Sequence, residues 1–423
     1  MRLSNATFRG FATTLSVFSL LFASSITAVA SPWDGVTAWE TARVLRVVDG
    51  DTFIVRDEAT NQRQRIRIIG MNAPEIPSAT GPGQCGGLEA KDELTKILPV
   101  GTQVRLLSAN QSSKGKNNRP QRVVLLYDER TKDFDIDVGW GMLERGWGVW
   151  YTLAKEAAMS QLYRDVVAIA QEKKAGIWNP NLCGELEQPD AQVGLRISRA
   201  PSGRASDEWV EVKNIGTTDV DLSDWMVRDS GNQAWYRLPL GSLLTPGEYR
   251  VIHTGVGIDG TPNPRDLYAG YSIPIYPEPA RGAALIGDGA YLLDRNGNYR
   301  FWREYPCTYE CEQIPHDGAI IIEDMSLGKK RGKVRAATQW VRFLNRGTET
   351  VCLDGYRVVT GSTKYQIKHG TCLAPGAKWL LRVGRGVDSP TTAYLNRSLP
   401  ALWNSGSLRL VSDRDQTIIE RSW

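Results

Sequence analysis

The second half of the chain carries one pattern twice. The run Glu208-Trp209-Val210-Glu211-Val212-Lys213-Asn214 is echoed by Gln339-Trp340-Val341-Arg342-Phe343-Leu344-Asn345. Asp221-Leu222-Ser223-Asp224-Trp225 is echoed by Cys352-Leu353-Asp354-Gly355-Tyr356, Leu244–Gly247 by Leu373–Gly376, and Gly289–Arg295 by Gly406–Asp413. Self-similarity at this distance marks a unit that folds twice. Its strands are short, Gly, Pro, Asn and Asp recur between them, and helical periodicity is almost absent. That is the pattern of a β-sandwich. Trp209 and Trp225 are expected in the core, and Asn214 with Gly216 in a turn. Two sandwiches are predicted, over 192–305 and 336–423, with a basic run, Lys329–Arg335, between them.

Residues 41–184 have another texture. Strands are predicted at Arg43–Val48, Thr52–Arg56, Arg65–Gly70, Gln103–Ser108 and Val123–Tyr127. Helices are predicted at Leu88–Leu98, with Leu88, Leu94, Ile97 and Leu98 as its apolar residues, at Val138–Arg145, and at Lys155–Ala175. Gly146 and Gly176 stop the last two. Five strands with three helices fit a small Greek-key barrel. A polar stretch, Glu185–Ala191, links it to the first sandwich. The expected fold class is therefore multidomain and mainly β: a barrel with three helices (α+β), then two sandwiches.

Within the barrel the stretch Val47–Glu75 concentrates the chemistry. Two β-prone runs flank a polar turn at Asp57–Arg63, so antiparallel pairing brings the outer ends of the stretch together. Asp49, Asp51 and Glu75 would then meet beside Arg67. Carboxylate oxygens suit a hard cation such as Ca²⁺ or Mg²⁺, and guanidinium suits phosphate. Histidine narrows the field further. The three histidines are His253, His316 and His369, none within 41–184. A histidine base, a histidine-ligated zinc and the base of a serine hydrolase are all excluded from the barrel.

The N-terminus reads as an export signal. Arg2 and Arg9 precede an apolar run, Phe11–Ile26, and Ala28-Val29-Ala30 supplies a small-x-small cleavage pattern. Residues 1–30 are expected to be removed, leaving no spanning segment, and the protein is expected in the periplasm or outside the cell. The net charge of +4 becomes +2 once Arg2 and Arg9 leave, so any basic surface must be local. Six cysteines in an exported chain suggest three disulfides. Proximity favours Cys307–Cys311 and Cys352–Cys372, leaving Cys85–Cys183 to staple the barrel.

Asp49-Gly50-Asp51-Thr52 followed by Arg67-Ile68-Ile69-Gly70-Met71-Asn72-Ala73-Pro74-Glu75 resembles the thermonuclease (staphylococcal nuclease-like) family, over about residues 43–180. Glu89-Ala90, the Gly146 turn and Gly176-Ile177-Trp178 extend the resemblance. It implies an OB-fold barrel with three helices and hydrolysis of phosphodiester bonds in DNA and RNA with one Ca²⁺. It implies metal ligation by Asp51, Asn72 and the Ala73 carbonyl. Glu75 would be the general base, and Arg67 would stabilise the five-coordinate phosphorus. Asn118-Arg119-Pro120-Gln121-Arg122 resembles the family's second arginine motif and points to Arg122, with Arg119 next in line. Two departures stand out: Asn72 replaces the family's Asp, and Pro120-Gln121 replaces Tyr-Gly. They favour the competing reading, a non-catalytic nucleic-acid-binding or surface-adhesion protein with a degenerate site. The basic residues Lys114, Lys116, Arg119 and Arg122 would add phosphate contacts, and Trp140, Trp147, Trp150 and Tyr151 offer either base stacking or packing.

The runs at Glu208 and Asp221 resemble the lamin-tail domain family, an Ig-like sandwich. The resemblance covers 193–305 well and 336–423 less well, since Tyr356 stands for Trp225. It implies accessory modules that bind substrate or an envelope surface. The whole is expected to be a monomer.

Overall fold

The computed structural model describes residues 39–78, 83–108, 119–152, 160–199, 204–261, 263–276, 287–305, 318–328, 334–403, 405–413 and 415–423. The expected signal, Lys114, Lys116, the Cys307–Cys311 pair and Lys329–Lys333 lie outside them. The molecule is mainly β.

The N-terminal part runs β1 (Trp39–Val47), β2 (Thr52–Asp57), β3 (Arg63–Ile68), β4 (Met71–Asn72), α1 (Gly87–Ile97), β5 (Gln103–Leu107), β6 (Gln121–Asp128), β7 (Asp133–Asp137), α2 (Val138–Glu144), β8 (Val149–Trp150) and α3 (Ser160–Glu172). One sheet has the order β3-β2-β1-β5-β6-β7, and β3 also pairs in parallel with β6, with Arg67 opposite Gln121 and Ile68 opposite Arg122. That extra pairing closes the sheet on itself. Side chains alternate along strands, so Val44, Phe53, Val55, Ile66, Ile68, Val104, Leu106 and Val124 fill the interior.

Three local features add to the sequence pattern. The strand β7, sequence DFDID, was not foreseen; it pairs only with β6 at the sheet edge, where acidic residues can stay in water. The inner face of α1 is Gly87, Ala90 and Leu94, whereas Leu88 is 54% exposed. Small residues line that face because the β1–β2 turn presses on it: a Cβ on Gly50 would lie 2.7 Å from the Ala90 Cβ. The aromatic group at 140–151 divides, with Trp150 buried against the Arg164 guanidinium and Trp140, Trp147 and Tyr151 half-buried.

The first sandwich contains β9 (Val193–Ser198), β10 (Trp209–Asn214), β11 (Val220–Asp221), β12 (Met226–Asp229), β13 (Trp235–Arg237), β14 (Leu243–Leu244), β15 (Tyr249–His253), β16 (Asp266–Tyr268), β17 (Asp288–Leu293) and β18 (Tyr299–Tyr305). Its sheets are β16-β15-β10-β9 and β13-β12-β17-β18, with a small β11–β14 pair. The ten strands from Ile320–Leu327 to Thr417–Ser422 repeat this order, including the parallel pairing of the seventh and eighth. The repeat extends to side chains. The Asn214 amide donates to the carbonyls of Thr218 and Leu244 and its oxygen accepts from Gly216 N–H. Asn345 does the same with Glu349, Leu373 and Gly347. Trp225 and its counterpart Tyr356 are both buried, as is Trp209.

Residues Val36–Trp423 form one compact unit. Trp178, just after α3, is buried with its ring centroid 4.9–6.1 Å from those of Trp302, Tyr299 and Tyr291 of the first sandwich. Cys183 N–H donates to Asn298 Oδ1 at 3.0 Å. The two sandwiches meet through ion pairs, among them Arg196–Asp354, Arg303–Asp413 and Arg199–Asp415. The disulfides Cys85–Cys183 and Cys352–Cys372 are formed.

Candidate active site

The turn from β1 to β2 is tight. Val48 and Asp49 N–H both donate to the Thr52 carbonyl, and Asp51 N–H donates to Asp49 Oδ1. Gly50 is required there, because a side chain would also strike the Ala73 Cβ at 2.7 Å. This closeness lays the turn against the segment after β4. Asp51 is buried: its Oδ1 accepts from Thr52 Oγ1 at 2.8 Å, and its Oδ2 accepts from Ala73 N–H at 2.9 Å. Arg67, at the end of β3, reaches the same Oδ2 with Nη2 at 3.0 Å and donates to Asn72 Oδ1 at 2.5 Å. Its side chain is only 12% exposed. Burial, then the Asp51 charge, push the Asp49 carboxyl up to about 7. Arg65 lies 3.8 Å from Asp49.

The hairpin therefore joins Asp49, Asp51, Arg67, Asn72 and Ala73. Glu75 stands apart: among the described residues Asp49, Asp51 and Glu75 do not form a three-carboxylate cluster within 4.8 Å. The chain turns outward after Pro74, and its course is fixed by Gln84. Glu75 N–H donates to Gln84 Oε1 at 3.0 Å, and Gln84 N–H donates to the Glu75 carbonyl at 2.7 Å. Glu75 is thereby left exposed on the wall of a cleft of about 650 Å³, which Asp49 and Arg65 also line. The neighbouring Cys85 carries the bridge to Cys183.

The two candidate arginines go to different places. Arg122 is buried, donating to Glu40 Oε1 at 3.0 Å and to the Gln121 carbonyl at 2.9 Å. Arg119 donates to Thr52 Oγ1 at 3.1 Å, beside Asp51. Burial and the neighbouring Arg67 lower its pKa, against the pull of Asp51. Its Nε is buried and finds no hydrogen-bond partner among the described residues.

One partner of the site comes from outside the barrel. Asn72 Nδ2 donates to the Ser230 carbonyl at 3.0 Å, and Tyr151 Oη accepts from Gln233 Nε2 at 3.3 Å. Both partners sit in the β12–β13 turn of the first sandwich. Residues 188–306 match the Lamin Tail Domain family. The chain also has curated relatives. Over 157 residues, 36% of this chain and 53% of the other, it is 30% identical to the probable endonuclease LCL3 of Arthroderma otae. Over 128 residues, 29% of this chain and 40% of the other, it is 30% identical to that of Uncinocarpus reesii. A stretch of 67 residues, 16% of this chain and 38% of the other, is 40% identical to the thermonuclease of Staphylococcus hyicus. The chain thus spans about half or less of the curated relatives it matches.

Sequence reasoning missed Gln84 and the lamin tail contribution. Gln84 sits in a Gly/Pro-rich loop whose composition signals only a turn. The Ser230 contact joins residues 158 positions apart, which no local pattern encodes.

Proposed function

We propose that this chain is an exported, Ca²⁺-dependent nuclease that hydrolyses phosphodiester bonds in DNA and RNA. In this reading an OB-fold catalytic barrel over 41–184 precedes Ig-like lamin tail modules over 192–305 and 336–423. The observation that carries it is the buried Arg67, held between Asp51 and Asn72 next to a wide cleft bearing Glu75. The endonuclease and thermonuclease names of the relatives support it.

The donor set fits one hard cation. Asp51, Asn72 Oδ1 and the Ala73 carbonyl would hold Ca²⁺ through oxygen alone, and the ion would offset the charge of the incoming phosphate. Arg67 now pairs with the Asp51 carboxylate and donates to the Asn72 oxygen; with the cation in place it would turn to a phosphate oxygen. Glu75, exposed on the cleft wall, would take the proton of the attacking water. For the second arginine we favour Arg119 over Arg122. Arg119 stands beside Asp51 with an Nε that has no partner among the described residues, whereas Glu40 already engages Arg122. Both arginines would act by stabilising charge as phosphorus becomes five-coordinate.

The test uses mature protein with single- and double-stranded DNA, in Ca²⁺ or EDTA, beside Glu75→Gln and Arg119→Ala. Cleavage that needs Ca²⁺ and falls by about 10²-fold or more in each variant is expected. Binding without cleavage in every condition would replace this reading by the non-catalytic one. If Arg122→Ala falls and Arg119→Ala does not, the second arginine is Arg122.

A further inference from the structure

We infer that the first lamin tail domain forms the second wall of the substrate cleft, and that Trp235 and Arg237 hold a single nucleic-acid strand there. The inference rests on the nuclease reading and adds where the strand runs. The cleft that carries Glu75, Asp49 and Arg65 is closed on its other side by Met226, Trp235 and Arg237. Trp235 and Arg237 are two residues apart on β13, so they project from one face. Met226 is paired with Arg237 across β12–β13. The strand β13 is a sheet edge, so nothing in that sheet covers its outer side.

Trp235 is 53% exposed, an unusual position for the largest apolar side chain. Its backbone is fixed on both polar groups: Trp235 N–H donates to Tyr271 Oη at 2.9 Å, and Tyr271 Oη donates to the Trp235 carbonyl at 3.2 Å. Arg237 is exposed, pairs with no carboxylate among the described residues, and donates only to the Asp224 carbonyl, leaving most of its fork open. It also lines a second cavity of about 270 Å³ that continues from the first. A ring for stacking and a guanidinium two residues on are the two groups a single strand needs, one for a base and one for a phosphate. The wall is held in place by Asn72–Ser230, Tyr151–Gln233 and the aromatic packing of Trp178. Base pairing would deny Trp235 a free base face, so the cleft selects single strands.

The test compares the full mature chain with Trp235→Ala, Trp235→Phe and Arg237→Ala. Substrates are a single-stranded decanucleotide, the same sequence as duplex, and bis(p-nitrophenyl) phosphate, too small to reach Trp235. Trp235→Ala should raise KM for the single strand about ten-fold, with kcat and hydrolysis of the small diester unchanged and Trp235→Phe close to wild type. Arg237→Ala should make log KM less steep in log salt by about 0.7. Unchanged single-strand KM in Trp235→Ala, while wild type cleaves, overturns this inference alone. If wild type cleaves nothing, the nuclease reading fails. Anisotropy of the labelled decanucleotide then decides the cleft: weaker binding by Trp235→Ala supports it, and equal binding overturns it.

Discussion

Asn72 has two bonds that ask for opposite things. Its oxygen accepts from Arg67, as a carboxylate would, but its nitrogen donates to the Ser230 carbonyl. A carboxylate there would face a carbonyl with no proton between them. The amide at position 72 suits the docked lamin tail domain, whose Ser230 carbonyl accepts from it. Asn72→Asp should therefore act in two directions. Without metal it should lose about 1–3 kcal/mol of stability, from an unmatched buried acceptor pair. With Ca²⁺ it should bind the ion more tightly, having gained a negative ligand. Denaturant melts in EDTA and calorimetric Ca²⁺ titration check the two arms; weaker Ca²⁺ binding would remove Asn72 from the ligand set. The residues Asp51, Arg67 and Asn72 were legible in the sequence because one hairpin brings them together. The donor role of Asn72 was not, because its partner lies in another domain.

The β12–β13 turn that supplies Ser230 is built on two carboxylates, the buried Asp229 and the half-buried Asp288. Asp229 accepts from the N–H groups of Gly231, Gln233 and Ala234, and Asp288, at the start of β17, accepts from those of Ser230 and Gly289. Burial, then the charge of Asp229, push Asp288 up to about 8. A raised carboxyl favours the fold while protonated. Its contribution is complete below the unfolded value of 3.8 and is lost as pH rises through about 8. Asp288→Asn keeps the acceptor and removes the titration, so the stability difference, wild type minus variant, should fall steadily from pH 4 to pH 8. Guanidinium melts at intervals across that range read it; a flat difference would show that Asp288 does not titrate there. Elements of this kind were only partly visible beforehand. Long runs such as β2 and β6 announce themselves by apolar content, whereas β7 alternates acid with apolar at an edge, and α1 turns Ala90 rather than Leu88 inward because Gly50 presses there.

At the scale of the molecule, the barrel and first sandwich join through packing, and the two sandwiches through charge. The second junction centres on Asp415, which both Arg199 and Arg357 reach. Both arginines are nearly fully buried, and Arg199 lies over the Tyr305 ring at 4.4 Å. Burial alone would raise the Asp415 carboxyl, but the two guanidinium groups hold it below its usual range. The sign is opposite to that of Asp288: the contribution is present above the unfolded value of 3.8 and is lost as pH falls through the lower folded one. Removing the carboxylate takes a shared counterion from two buried like charges, and breaking a buried pair costs about 3–5 kcal/mol. Asp415→Asn should therefore release the second sandwich at neutral pH, and acid should release it in wild type once the pH falls below the lowered folded value. Cross-linking between the sandwiches and small-angle scattering would report the separation. The barrel and its cleft, held by Trp178 and Ser230, should keep the proposed nuclease activity in that variant. Loss of activity together with the junction would mean that the second sandwich also supports the cleft.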